Sequence, residues 1–242
     1  MPFPLAHPAA VLPLRPLCPR RLNFPALVIG SLVPDTGYPF EAHHVAEFSH
    51  RFVAGAFGYD LPLGYLIWLG FYGGRRLAIG LLPYRYRKAL WPMCRPPESF
   101  TWMIAVSLLI GTWTHLSLDS ITHGDGWMVE HLSVLRHAVP WAGKHWLPVY
   151  EVLYNGCTWF GSGWLALCYL DWQEHTFGPS GFGVPAIRWA CAILFATATL
   201  ALAEACRGGH GGLGLSWAAM LTLLLISAFV AATALGYENT PA

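Results

Sequence analysis

Charged side chains are scarce in this sequence, which has 14 lysines and arginines and 13 aspartates and glutamates in 242 residues. Soluble domains contain roughly 25% charged residues, whereas this chain is 11% charged and 55% hydrophobic. The formal net charge is only +1, and the basic residues form no dense stripe of the kind that binds nucleic acid. The composition therefore predicts an integral membrane protein whose partner is the lipid bilayer, with no nucleic-acid partner.

The six cysteines lack the spacing of zinc ligands, and most of them lie in apolar runs, where cysteine behaves as a small hydrophobic residue. The N-terminus lacks a basic segment before a long apolar core, so no cleavable signal peptide is expected. No internal repeat or linker divides the sequence. One integral membrane domain is expected over residues 1–242, with a site-bearing segment over residues 1–60 and transmembrane helices over residues 61–242.

Apolar windows of about 20 residues, the length that crosses the hydrocarbon core, occur four times. They are Phe100–Ile121, Val152–Leu170, Ile187–Ala205 and Leu213–Leu235. A fifth window starts at Leu61 and contains Arg75 and Arg76, which are tolerated if they reach the headgroups. The shorter stretch Phe24–Pro34 predicts a re-entrant or half-membrane segment. The expected fold is an all-α, polytopic membrane bundle of about five or six helices.

The orientation of this bundle follows from the basic segment over residues 75–95, which carries five arginines and one lysine. Such a segment is expected in the cytoplasm, because short positively charged loops stay on that side. The helix from Phe100 then places His115, Asp119 and His123 at the extracytoplasmic face, where residues 35–50 are expected too. The sequence therefore predicts a multi-pass protein of the cell membrane with a site near its outer face.

The motif HLSLDSITH spaces His115, Asp119 and His123 four residues apart. Positions four apart lie on one face of an α-helix. Imidazole nitrogens and carboxylate oxygens are the usual ligands of zinc and similar divalent ions. The structural alternative is an interfacial cap, in which the same side chains bond helix ends and water.

The first 60 residues add polar groups on the same expected face, which His7 reaches if the N-terminal segment is re-entrant. Asp35 directly follows an apolar segment and a proline, and His7 lies in an otherwise apolar stretch. A lone histidine of this kind is more often a core residue than a ligand. Several histidines with two aspartates on one face suit a site of two or three metal ions, which activate water against a phosphate ester.

The motifs PFPLAHPAAVLPL, LVIGSLVPD, FSHRF, YDLPLG and THLSLDSITHGDGW resemble, in this order, a family of bacterial membrane proteins known as domain of unknown function 4184. The resemblance covers Phe3 to about Leu170. The same order is similar to membrane-bound metal-dependent hydrolases and, more distantly, to zinc-dependent phospholipase C. These resemblances imply the metal ligands His7, Asp35, His50, His115, Asp119 and His123. The sequence departs from the soluble relatives in having no H-x3-E after His123.

Other polar residues are predicted to support such a site. Two carboxylates outside the ligand set, Glu47 and Asp125, are candidate general bases. The residues expected to orient the ligands are His43, His44, Asp60, Glu151 and Asn155. Asp60 precedes Leu61 and Pro62, so an N-cap role is at least as good an interpretation of that residue.

Three functions fit these residues. The leading hypothesis is a membrane-bound metal-dependent hydrolase of a phosphorylated or ester-bearing, lipid-like amphiphile, using zinc or, as alternatives, magnesium or manganese. A second is an isoprenoid diphosphate enzyme, a cyclase or transferase, which oxygen-rich magnesium coordination would favour. A third is a non-catalytic metal-binding membrane protein or transporter. It predicts a polar path to the cytoplasmic side, where the later helices offer little besides Glu204.

Overall fold

The computed structural model describes residues 6–18, 21–40, 43–94, 101–141, 145–178, 189 and 191–199. The first part of the chain forms short helices. They are α1 (Pro8–Val11), a 3-10 helix (Leu12–Leu17), α2 (Phe24–Gly30), a second 3-10 helix (Val33–Phe40) and α3 (His43–Ser49). With seven residues, α2 is about 10 Å long. The segment predicted to be re-entrant or half-membrane is therefore too short to cross a bilayer.

Among the described residues, three long helices then alternate with shorter ones, and a small sheet lies directly before the third long helix. The elements in order are a π-helix (Ala56–Asp60), α4 (Leu61–Gly80), α5 (Tyr84–Leu90), a 3-10 helix (Trp91–Cys94), α6 (Thr101–Thr122), α7 (Trp127–His131), α8 (Ser133–Arg136), β1 (Ala138–Trp141), β2 (His145–Pro148) and α9 (Val149–Phe177), of which α4, α6 and α9 are the long helices. Residues 191–199 are also helical. The prediction of a mostly helical protein is confirmed.

The sheet is the departure from an all-α fold. β1 and β2 are antiparallel, with Val139 opposite Leu147 and Pro140 opposite Trp146. β-branched and aromatic side chains of this kind fit a pleated surface. A two-stranded sheet also accommodates Pro140, because each strand has an unpaired edge.

The crossing of α2 and α6 is a close helix contact that bears on the site. A Cβ atom on Gly30 would lie 2.2 Å from the carbonyl oxygen of Leu108, and one on Gly111 would lie 2.3 Å from that of Leu27. No side chain fits at either position, so the two backbones pack directly on each other. This contact places the end of α2 against the middle of α6.

An N-cap fixes the start of α2 at the same interface. The side chain of Asn23 accepts a hydrogen bond from the Ala26 N–H at 3.0 Å, and the Asn23 N–H donates to Ser107 Oγ on α6 at 2.8 Å. Cap hydrogen bonds of this type contribute about 1 kcal/mol. They therefore help to set the register of α2 on α6.

An apolar core joins α2, α4 and α6. Its buried members are Ala26, Trp68, Ile104 and Leu108. Each large side chain buried in this way contributes about 1.5–3 kcal/mol. The core holds α4 and α2 on neighbouring faces of α6, which leaves the C-terminal half of α6 to carry the polar residues of the candidate site.

The predicted membrane windows correspond to helices where the structure describes them. The window Phe100–Ile121 corresponds from Thr101 onward to α6, and Val152–Leu170 lies within the 29-residue α9. The window from Leu61 is α4, a single helix of 20 residues that contains both arginines. Ile187–Ala205 is described only in part, and Leu213–Leu235 lies outside the described residues.

One stretch of the described chain, Thr101–His131, is long and apolar enough to cross a membrane. It includes α6 and α7, and the mean hydropathy of its best 18-residue window is 1.3. Length and composition therefore make α6 the candidate span within the described ranges.

Candidate metal centre

The inner face of α6 carries the central pair of the candidate site. His115 and Asp119 lie one turn apart, and Nε2 of His115 is 3.1 Å from Oδ2 of Asp119. Both side chains are almost completely buried, with 0% and 7% exposure. The four-residue spacing has therefore placed the two groups on one helix face that points into the protein.

Two residues from the N-terminal part of the chain meet this pair. Asp35 lies in the 3-10 helix that follows α2, and its Oδ1 is 3.5 Å from Nε2 of His115. His50 directly follows α3, and its Nε2 is 3.1 Å from Oδ2 of Asp119 and 3.9 Å from Oδ1 of Asp35. Elements far apart in sequence thus bring two imidazoles and two carboxylates together, a group we call the His/Asp cluster.

Backbone carbonyls orient both imidazoles of the His/Asp cluster. Nδ1 of His115 lies 2.8 Å from the Ser31 carbonyl oxygen, and Nδ1 of His50 lies 2.7 Å from that of Ala46. A carbonyl oxygen only accepts hydrogen bonds, so Nδ1 of each ring carries the proton. In the neutral ring, the Nε2 lone pair then points at carboxylate oxygens, which are acceptors too. A proton or a metal ion is needed between them.

Several buried atoms of the site lack a hydrogen-bond partner within the described residues. They are both nitrogens of His7, both carboxylate oxygens of Asp35, Nε2 of His115 and Oδ1 of Asp119. Leaving one such buried group unsatisfied costs roughly 1–3 kcal/mol. A cation bound in the His/Asp cluster would satisfy Nε2 of His115 and an oxygen of Asp35 together.

The geometry of the His/Asp cluster fits a divalent ion. One ligand atom from each of its four residues lies within 4.8 Å of the others. Ligands on a tetrahedral zinc ion, bound at about 2.0–2.1 Å, are separated by about 3.4 Å. The nitrogen–oxygen distances of 3.1 to 3.9 Å lie around that value. Two ionised carboxylates also balance the charge of a divalent cation.

His7 and His123 approach the other oxygen of Asp119. Nε2 of His7 is 3.7 Å and Nδ1 of His123 is 3.8 Å from Oδ1. The ring of His7 also stacks on that of His115, with centroids 3.8 Å apart. Four of the six predicted ligands thus form the His/Asp cluster, and His7 and His123 lie near the other oxygen of Asp119, where Nδ1 of His123 is also 3.2 Å from the Asp119 main-chain carbonyl oxygen.

The surroundings shift the pKa values of His7 and His50 in opposite directions. Burial, and then the charge of His115, hold the pKa of His7 well below its usual value, so its neutral ring has a lone pair to offer. Burial also lowers the pKa of His50, but the hydrogen bond and charge of Asp119 outweigh it, and the net direction is upward. Without a metal, His50 therefore tends to hold a proton against Asp119.

The two predicted general bases lie in different places. Glu47 is 78% exposed at its side chain and lies 4.0 Å from Nδ1 of the equally solvent-facing His44. Asp125 is exposed as well, but its charge acts on His123. The structure brings Asp125 to the edge of the site, whereas Glu47 contacts His44 among the described residues.

The residues predicted to orient the ligands are also dispersed. Asp60 is 1% exposed, accepts a hydrogen bond from Ser49 and interacts electrostatically with His50 and His115. His43 is the first residue of α3, and Glu151 lies in the first turn of α9. Asn155 follows one turn later and has a buried Oδ1 without a hydrogen-bond partner in the described part of the chain. Their predicted roles stay predictions.

Sequence reasoning missed the groups that hold the imidazoles. Ser31 and Ala46 act through their main-chain carbonyls, so nothing in their side chains marks them. Ser49 is fully buried beside His50, and its position directly before a histidine was the one available indication.

No curated protein and no solved structure matches this chain. The model of one protein family does match, over residues 1–237, and thus covers nearly the whole sequence and every residue of the candidate site. The chain belongs to the family described as Domain of unknown function (DUF4184).

Proposed function

We propose that this protein is a membrane-bound metal-dependent hydrolase of phosphorylated or ester-bearing amphiphiles. The observation that carries the proposal is the orientation of His50 and His115. Each ring has its Nδ1 on a backbone carbonyl and its Nε2 against the carboxylate of Asp119. Metal-binding histidines are typically oriented by such an outer partner on the second ring nitrogen.

The donor set favours zinc over magnesium. The His/Asp cluster offers two imidazole nitrogens and carboxylate oxygens from two aspartates, and imidazole suits zinc, whereas magnesium prefers oxygen ligands and water. A zinc ion there would supply a bound water that ionises near neutral pH. The same preference ranks the isoprenoid diphosphate enzyme below the hydrolase.

A second cation position is part of the proposal. His7 and His123 lie 3.7 and 3.8 Å from Oδ1 of Asp119, whereas His50 and His115 lie on Oδ2, so Asp119 and His7, with His123 beside them, would hold the second ion. Paired ions about 3.5–4 Å apart hold the attacking and leaving oxygens of a phosphate ester. This arrangement supports hydrolysis over a purely structural metal, which is usually enclosed by protein ligands alone.

The exposure of the histidines indicates where a substrate would enter. His7 and His115 are fully buried, but the side chains of His50 and His123 are 23% and 29% exposed. The cluster therefore opens on the side of these two residues. Asp125 lies exposed at that opening, close enough for its charge to act on His123, so we propose it as the general base.

An apolar rim beside His50 suits the lipid-like part of the substrate. Phe52 and Val53 follow His50 in a turn and are 56% and 63% exposed. The Phe52 ring stacks on that of Trp113 at 5.8 Å, and Phe57 meets Trp113 edge-on. Exposed apolar groups gathered at the mouth of a site favour an amphiphile over a small polar substrate.

The membrane part of the proposal rests on composition and helix length. We propose a multi-pass protein with the site near the extracytoplasmic face. Support comes from the apolar stretch Thr101–His131 and from the basic α5, which carries Arg85, Arg87 and Lys88. In this arrangement the His/Asp cluster lies at the end of α6 opposite to the basic segment.

Hydrolysis of bis(p-nitrophenyl) phosphate by the full-length protein in detergent tests the activity. Release of nitrophenol should require zinc, stop on chelation and return when zinc is restored. Asp125→Asn should lower the rate roughly 100-fold, as for loss of a general base, while zinc remains bound. Zinc-loaded wild type with no activity on phosphate diesters, phosphate monoesters or carboxylic esters would contradict the proposal.

A further inference from the structure

His50 lies at a chain reversal between two helices. α3 ends at Ser49, and α4 is preceded by the π-helix Ala56–Asp60. Gly55 closes the reversal, because a Cβ atom there would lie 2.2 Å from the carbonyl oxygen of Ser49 and 2.3 Å from that of Phe48. No side chain fits in this space, so the returning chain packs directly against the residue before His50.

Ser49 and Asp60 connect the two sides of this reversal. Ser49 Oγ donates a hydrogen bond to Asp60 Oδ1, and the two residues are 0% and 1% exposed. The π-helix makes the contact possible. Its closing bond runs from the Leu61 N–H to the Ala56 carbonyl, five residues back, which inserts one residue and rotates the start of α4 by about 100°.

A structural cap does not explain Asp60. An N-cap aspartate accepts a hydrogen bond from a backbone N–H in the first turn of its helix. Asp60 occupies the N-cap position of α4 but makes no side-chain cap hydrogen bond. Its carboxylate is turned toward Ser49 instead, and its charge acts on His50, His115 and Asp35.

We propose that Ser49 and Asp60 are positioning residues for His50. Their hydrogen bond fixes the backbone of the reversal so that Nε2 of His50 meets Asp35 and Asp119, while the Ala46 carbonyl sets the rotation of the ring. The inference rests on the proposed metal site, because the consequence of the pair is the geometry of a ligand.

Cobalt titration of the full-length, metal-free protein in detergent tests this role. Cobalt(II) replaces zinc, and its visible absorption spectrum depends on the number and arrangement of its ligands. Loss of an outer partner of a metal ligand typically weakens metal binding 10–100-fold. Ser49→Ala should weaken cobalt binding to that extent and change the spectrum. Ser49→Thr keeps the hydroxyl donor, and Asp60→Asn keeps an oxygen acceptor. Each of these variants should therefore bind cobalt with near wild-type affinity and spectrum.

Ser162→Ala is the matched control. Ser162 is also fully buried and donates to helix carbonyls, those of Thr158 and Trp159, but both hydrogen bonds lie within α9 and involve no residue of the candidate site. This variant should lose stability without a change in cobalt affinity or spectrum. If wild type binds no cobalt, the metal site itself fails. If wild type and Ser49→Ala bind equally with one spectrum, the metal site stands and the positioning role is wrong.

Discussion

Two pairs of histidine and acid, each about one helical turn apart, lie on α6 and α3 but differ in their surroundings. His115 and Asp119 are 3.1 Å apart, with side chains 0% and 7% exposed. His44 and Glu47 are 4.0 Å apart, and their side chains are almost fully exposed. Water competes for the second pair and screens its charge, so such a pair contributes little.

The difference between the pairs lies in what surrounds them. His115 has the Ser31 carbonyl behind its ring and the carboxylates of Asp35 and Asp119 in front of it. These partners come from elements far apart in sequence. The spacing of two ligand types along a helix therefore indicates a metal site only where tertiary packing buries the pair and brings further ligands to it.

The largest effect is expected from removing Asp119, the acid of the buried pair. Asp119 contacts His7, His50, His115 and His123, so Asp119→Ala should reduce the zinc content of the full-length protein to background. Glu47→Ala, the matched change in the exposed pair, should leave zinc content at the wild-type value. Metal analysis of the purified variants checks both, and equal zinc in the two variants would remove the distinction.

The second prediction breaks the packing that buries the cluster. A Cβ atom at Gly111 would lie 2.3 Å from the Leu27 carbonyl oxygen and 2.8 Å from the Ser31 nitrogen. Gly111→Ala should therefore displace α2 and lower the free energy of unfolding by about 1–3 kcal/mol. Its thermal midpoint should fall, and zinc binding should weaken as the Ser31 carbonyl moves away from His115.

Gly73→Ala is the control for this change, because nothing lies within 4 Å of the added atom. Within α4 it should raise stability by up to about 1 kcal/mol, the helix preference of alanine over glycine. A Gly111→Ala protein as stable as Gly73→Ala would show that the α2–α6 contact tolerates a side chain.

The third prediction uses pH to measure burial beside the cluster. Burial raises the pKa of Asp60 from 3.8 to about 6, against the opposing hydrogen bond from Ser49. The folded protein thus binds this proton more tightly than the unfolded chain. The contribution of Asp60 to stability is greatest below pH 4 and is lost as the pH rises to about 6.

Thermal unfolding of metal-free wild type and Asp60→Asn should show this loss as a difference. The variant should gain roughly 1–3 kcal/mol over wild type between pH 4 and pH 7, because its amide does not ionise. A difference that is constant across that range would mean that the Asp60 carboxyl is not buried in the folded protein.

The smallest effect is expected from the exposed pair. His44→Ala should change the free energy of unfolding by less than about 0.5 kcal/mol, the range of exposed ion pairs, and leave zinc affinity unchanged. Thermal unfolding and zinc titration measure the two quantities. If His44→Ala lost its zinc, the exposed face of α3 would belong to the metal site. The contrast between the buried and the exposed pair would then be wrong.

The sequence predicted the α6 part of the site because helical spacing is a local property. His115 and Asp119 share a face on any helix. Asp35 and His50 were identified from their motifs, but spacing alone does not place them against α6. The crossing of α2 and α6 does so, and it depends on the close backbone contact at Gly30 and Gly111.

The sequence was least informative about which face of a short helix is buried. On α3 the structure buries Ala46 and Ser49 and turns His44 and Glu47 to solvent. Seven residues carry too little apolar periodicity to decide this orientation. The β1–β2 hairpin was missed for a related reason, since two four-residue strands form only when brought together.

X-ray absorption spectroscopy of the zinc-loaded, full-length protein tests the central claim most directly. Two imidazoles and carboxylate oxygens predict a first shell of nitrogen and oxygen at about 2.0–2.1 Å, with the outer-shell scattering of histidine rings and no sulfur at about 2.3 Å. His115→Ala should lose part of the imidazole scattering. A zinc shell containing cysteine sulfur, or a wild-type spectrum that His115→Ala leaves unchanged, would contradict the assignment.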